Sequence, residues 1–106
     1  MRDTVDQAVL EHEQIHFDIA EVYARKMREK FQAIHAANYT LGDIYHQVDD
    51  LLKAVDDYQD QYDQETFYGR SSRIQERWRN QIDDELKQLE EFSFENTCSE
   101  YEAYAH

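Results

Sequence analysis

The sequence predicts an all-α fold: an antiparallel three-helix bundle followed by a short C-terminal tail. Three observations lead there. The chain has no proline and only two glycines, Gly42 and Gly69, so little in it interrupts a helix. Apolar residues recur at alternating three- and four-residue steps in three separate stretches, as they do on one face of a helix. No stretch shows the alternation and β-branched enrichment of a strand. A chain of 106 residues, 41% hydrophobic and 33% charged, has material for one core and reads as a single helical domain over residues 1–106.

The first stripe runs Val5, Val9, His12, His16, Ile19, Tyr23, Met27, Phe31 and Ile34, which places helix one at about residues 3–36. The second runs Leu41, Ile44, Val48, Leu51, Val55, Tyr58 and Tyr62. Thr40 with Asp43 three residues on forms a capping-box pattern before it, so helix two covers about 40–62. The third runs Ile74, Trp78, Ile82, Leu86, Leu89 and Phe92, introduced by Ser71-Ser72 with Gln75 as a further capping pattern, so helix three covers about 72–92. Between helices two and three, Asp63 to Arg70 reads as a polar loop. The tail from Ser93 to His106 carries Phe94, Tyr101 and Tyr104 without a clear period.

Composition narrows the function classes. Twenty-four acidic against eleven basic residues give a formal charge of −13, which repels phosphate backbones and anionic lipid and argues against nucleic acid as a partner. No apolar run approaches the ~20 residues of a membrane span. The N-terminus lacks the pattern of a secretory signal, and a single cysteine, Cys98, excludes an internal disulfide framework. The eight tyrosines suggest apolar surface left for a second copy or a missing subdomain.

The chemistry lies on helix one, in His12-Glu13-Gln14-Ile15-His16. Histidines four residues apart sit about 40° apart around a helix and one turn along it, so both imidazoles reach one cation. Glu13 follows His12 directly, beside the pair, where a carboxylate serves as general base for a metal-bound water. His12 and His16 stand in the apolar stripe itself, and buried imidazoles need partners. The plain alternative is two core histidines satisfied by carboxylates of another helix. A di-iron reading of Glu13 and His16, echoed by Asp43 and His46, lacks bridging carboxylates from two further helices. A non-catalytic helical interaction module, such as a homodimer retaining the motif, is the non-enzymatic reading.

Two blocks resemble a known family. The first is Leu10 to Lys26, Leu-Glu-His-Glu-Gln-Ile-His-Phe-Asp-Ile-Ala-Glu-Val-Tyr-Ala-Arg-Lys; the second is Tyr62-Asp63-Gln64-Glu65-Thr66-Phe67-Tyr68-Gly69, followed by Gln75 and Trp78. In order and spacing they resemble the bacterial predicted secreted zinc-dependent proteases catalogued as domain of unknown function 922. The resemblance implies the helical part of a zincin, secreted or periplasmic, acting on a peptide or protein substrate through Zn2+. It also implies His12 and His16 as ligands, Glu13 as general base, and a longer upstream portion that walls the substrate. Where the family has His before the glycine this chain has Tyr68, the expected third ligand, with Asp63 and Glu65 as alternatives. Arg70, Arg73, Arg77 and Arg79 follow the loop as candidates for binding a peptide carboxylate or for salt bridges to the acidic surface.

Overall fold

A computed structural model describes residues 2–36 and 39–96, with side chains from 7–34 and 39–96. The expected tail beyond residue 96 lies outside the described residues. Helix α1 spans Arg2–Ala36, α2 Leu41–Glu65 and α3 Ser72–Gln88, and one 3-10 turn follows at Glu90–Phe92. The direction of each helix follows from its partners. His12 meets Tyr62 and Gln75, while Arg25 and Arg28 meet the carbonyls of Leu86 and Phe92. Helix α2 therefore runs against α1, and α3 runs back alongside α1, an up-down-up bundle. No described helix is long and apolar enough to cross a membrane.

Local chemistry sets the helix ends. The Thr40 hydroxyl accepts from the Asp43 N–H at 3.2 Å, and the Thr40 N–H donates to the Asp43 carboxylate at 3.2 Å, which completes the expected capping box. That hydroxyl also holds the Asp43 carboxyl below its ordinary pKa. Asp43 is thereby committed to the cap, away from any echo of the helix-one motif. Helix α3 differs from expectation: Ser71 precedes it without a side-chain cap bond, and Gln75 turns into the core instead of back to the terminus. At the other end, Leu89 bonds to Glu85 and the next turn tightens, with Phe92 N–H to Leu89 at 2.9 Å, which swings Phe92 inward. The Arg25 and Arg28 guanidiniums donate to main-chain oxygens there at 2.6 and 2.8 Å, cations at the negative end of α3.

The core gathers Ile15, Ile19 and Val22 from α1, Tyr62 from α2 and Trp78 and Ile82 from α3, with Tyr23, Val55, Tyr58, Ile74, Leu86 and Leu89 packed around them. Helices two and three turn inward the faces the period predicts, apart from Leu41 at the start of α2, which is 65% exposed. Helix one is rotated: Val9 and Phe31 stay 55% and 45% exposed, whereas Ile15 and Val22 are fully buried. Because α1 touches two helices, its buried face centres between them, and the stripe containing His12 and His16 becomes the edge that meets α2.

Aromatic hydroxyls thread this core. Burial, then the Glu85 carboxylate, pushes the Tyr58 phenol to about 12, and burial with nearby acids raises Tyr23 and Tyr62 as well. The folded chain thus keeps protons that the unfolded chain releases near pH 10. This contribution to stability is whole below pH 10 and drains away as pH climbs toward about 12. The melting temperature is expected to fall over that interval, with tyrosinate absorbance rising together with unfolding; titration of all tyrosines before any loss of helix would contradict it.

Candidate metal centre

The site forms where the first third of α1 crosses the last turns of α2. His12 and His16, one turn apart on α1, stand with ring centroids 4.7 Å apart and planes at 88°. Helix α2 presents Gln59, Tyr62 and Asp63 toward them, and α3 adds Gln75. The Nε2 atoms of His12 and His16 both face one oxygen of Asp63, at 2.9 and 2.7 Å.

The proton positions follow from the partners of the opposite ring nitrogens. Tyr62 has one proton and gives it to Gln75 Oε1 at 2.9 Å, so its oxygen, 2.9 Å from His12 Nδ1, accepts from that nitrogen. Gln59 donates its amide N–H to the His16 main-chain oxygen at 3.0 Å, which turns its carbonyl toward His16 Nδ1 as an acceptor. Each imidazole therefore carries a hydrogen on Nδ1 and directs its Nε2 at the Asp63 carboxylate. The two Nε2 atoms and the carboxylate oxygen lie within 4.8 Å of one another, a spacing that a proton or a metal ion among them would satisfy. His12, His16 and Asp63 could hold a metal ion, and the tautomer-fixing groups behind the rings match what ligating histidines require. Side-chain exposures of 12%, 23% and 26% leave the trio open to solvent on one side.

The turn after α2 braces this arrangement. Tyr68 N–H bonds to the Asp63 carbonyl at 2.7 Å and Phe67 N–H to Gln64 at 3.3 Å, a Schellman ending with Phe67 in the position glycine usually takes. Phe67, Tyr68 and Gly69 have φ of 52°, 58° and 88°, all left-handed. Buried Thr66 holds the curve, its hydroxyl donating to the Tyr62 carbonyl at 2.7 Å and accepting from the Gly69 N–H at 3.1 Å. Gly69 then lies against the ring of His12, where an added Cβ would sit 2.8 Å from Nδ1. The ring is held by Tyr62, Gln75 and Asp63 and has no room to yield. Gly69→Ala is expected to cost about 2 kcal/mol in denaturant unfolding from the backbone alone, and to weaken metal binding because His12 must turn; unchanged values for both would show that the contact is slack.

Of the residues expected at the site, His12, His16 and Asp63 converge. Glu13 projects into solvent beside them and makes no hydrogen bond or ion pair with a described residue. Tyr68, the expected third ligand, is 69% exposed and bonds to neither imidazole through its side chain. Its left-handed backbone carries it past the site and leaves Gly69 at the ring. Glu65 is occupied elsewhere, accepting from the Trp78 indole at 3.0 Å. Arg79 pairs with Asp18 and Asp83 at 2.7 and 2.6 Å, a salt-bridging role.

Sequence reasoning did not anticipate Gln59 and Tyr62 as groups that orient the rings, and it assigned Gln75 to a cap. A signal existed for Gln59 and Asp63: they are four apart, like His12 and His16, so two such pairs on antiparallel helices can face each other. Burial, followed by the charges of Asp63 and Glu11, holds the Tyr62 phenol well above its ordinary pKa, so it remains a neutral hydroxyl.

No curated protein and no solved structure matches this chain. The family described as Bacterial protein of unknown function (DUF922) matches residues 3–69, which take in α1, α2 and the turn as far as Gly69. With more than half its length matched, including His12, His16 and Asp63, the chain belongs to that family.

Proposed function

We propose that this domain is a zinc-dependent peptide hydrolase in which His12, His16 and Asp63 hold the ion and Glu13 is the general base. The observation that carries the reading is the orientation of both imidazoles: Tyr62 and Gln59 occupy the two Nδ1 hydrogens, so both Nε2 atoms face the Asp63 carboxylate. Two imidazoles and a carboxylate form a three-ligand set of the kind found in catalytic zinc sites that leave a fourth position open. When bound, zinc would supply a water of lowered pKa and a Lewis acid for the scissile carbonyl.

The chain's own residues then have distinct tasks. Tyr62 and Gln59 keep the two rings in one tautomer, and Gln75 keeps the Tyr62 hydroxyl aligned. Glu13, one residue from His12 and uncommitted to any described partner, accepts a proton on the open side of the trio and returns it to the leaving amine. Its charge reaches the centre, since it contributes to the raised pKa of Tyr62.

Protein purified without chelator tests the reading. Calorimetry is expected to show one zinc per chain, and the loaded protein is expected to cleave an unstructured protein substrate. Failure to bind zinc at micromolar concentrations would remove the proposal. Binding without cleavage would reduce it to a structural metal site.

A further inference from the structure

The Asp63 carboxylate sits where a helix holds itself least firmly. Asp63 belongs to the last turn of α2, which ends at Glu65, and main-chain carbonyls there lack helical partners. The helix dipole is negative at that end, and the turn adds the acids Asp63 and Glu65 with no base to offset them. Local chemistry closes the turn on itself, through the Thr66 hydroxyl and the N–H groups of Phe67 and Tyr68. Those bonds lie within α2 and its loop, so they leave the position of the turn against the other helices to side chains. That position is what keeps the carboxylate 2.9 and 2.7 Å from the two imidazoles.

Helices α2 and α3 join through long side chains: Tyr58 with Glu85 and Gln81, Tyr62 with Gln75, and Trp78 with Glu65. Trp78 reaches the last residue of α2. It is 4% exposed, with the ring centroids of Tyr58 and Tyr62 at 5.1 and 5.2 Å. Its indole N–H donates to one oxygen of Glu65 at 3.0 Å, and the other oxygen accepts from the Gln61 amide at 2.6 Å. A buried donor costs free energy unless it is bonded, so the indole holds the Glu65 carboxylate in place. Phenylalanine would fill most of the same space and hold nothing.

We propose that Trp78 is a positioning residue of the metal centre, acting through Glu65 on Asp63 and through Tyr62 on His12. Along the first line, the indole fixes the turn from which Asp63, two residues before Glu65, reaches across to α1. Along the second, Trp78 meets Tyr62 edge to face. The Tyr62 ring in turn stacks on His12 at 4.9 Å, and its oxygen accepts from Nδ1 at 2.9 Å. His12 and Asp63 stand on different helices, and one side chain of a third helix sets both. Glu65 serves here as a hydrogen-bond acceptor, and its charge is incidental. The inference rests on the metal-binding part of the zinc reading and needs no hydrolysis.

Zinc calorimetry on variants of the full chain tests it. Glu65→Met, which keeps the length of the stem and removes the acceptor, is expected to weaken zinc binding about tenfold with unchanged helical circular dichroism. Glu65→Gln keeps an acceptor oxygen for the indole and is expected to stay within a few-fold of wild type. Trp78→Phe is expected to lose affinity as well, and adding Glu65→Met to it should cost nothing further, because the two residues act as one unit. Should Trp78→Phe lose its fold, the comparison of Glu65→Met with Glu65→Gln decides alone. Affinity unmoved by Glu65→Met, an equal loss in Glu65→Gln, or a full second loss in the double variant overturns the proposal. Each of those results leaves the zinc reading standing, whereas a wild type that binds no zinc removes both.

Discussion

Asp63→Asn is expected to weaken zinc binding by more than about a hundredfold while leaving the zinc-free fold at least as stable as the wild type. Loss of a group that merely orients a ligand typically costs 10- to 100-fold in affinity, and Asp63 is itself a donor in the proposed set. The effect on stability has the opposite sign for a physical reason. In the proposed zinc site without its ion, two bare Nε2 atoms would point at a carboxylate oxygen at 2.9 and 2.7 Å. An asparagine can turn its amide N–H groups to those atoms and replace repulsion with hydrogen bonds. If the trio were instead a structural ion cluster, with both rings protonated around a carboxylate, the same change would strip a part-buried charge of its partner and destabilise the fold. Zinc calorimetry and urea unfolding of the metal-free protein, run on one pair of samples, separate the two outcomes.

Glu13→Gln is expected to lower peptide hydrolysis by about 10²- to 10⁴-fold with zinc affinity within a few-fold of wild type. Glutamine keeps the shape of the side chain and removes its capacity to take a proton. Because Glu13 is exposed and bonds to no described residue, the exchange leaves the fold undisturbed. A rate equal to wild type would assign proton transfer elsewhere. A large fall in zinc affinity would make Glu13 a ligand and not a base.

The helices were legible because a period of three and four survives in all three segments and Thr40 marks a start that nothing contradicts. The last turn of α2 was not: Asp63, Gln64 and Glu65 are polar, and only the hydrogen bonds from Phe67 and Tyr68 reveal that the helix still holds them. That turn sets which side chain faces the two imidazoles. A residue on a helix one step past buried Tyr62 has a fixed direction, while Tyr68 in a left-handed turn points away. Periodicity also misjudged which edge of α1 is innermost, because a one-dimensional pattern cannot tell a helix with one neighbour from a helix with two. Gln75 shows the limit of local rules: its spacing from Ser72 suits a cap, but the buried hydroxyl of Tyr62 competes for the same amide, and burial gives the interior bond the advantage.

One ring joins the whole assembly. His12 belongs to α1, touches Tyr62 and Asp63 of α2 and Gln75 of α3, and blocks any side chain at Gly69. The proposed chemistry therefore has no scaffold separate from itself: the keystone of the arch is also its working part. Local opening that releases the 66–70 turn must free the imidazole as well, so amide exchange there and at the start of α3 should proceed in step, and an ion seated at this junction would slow both together.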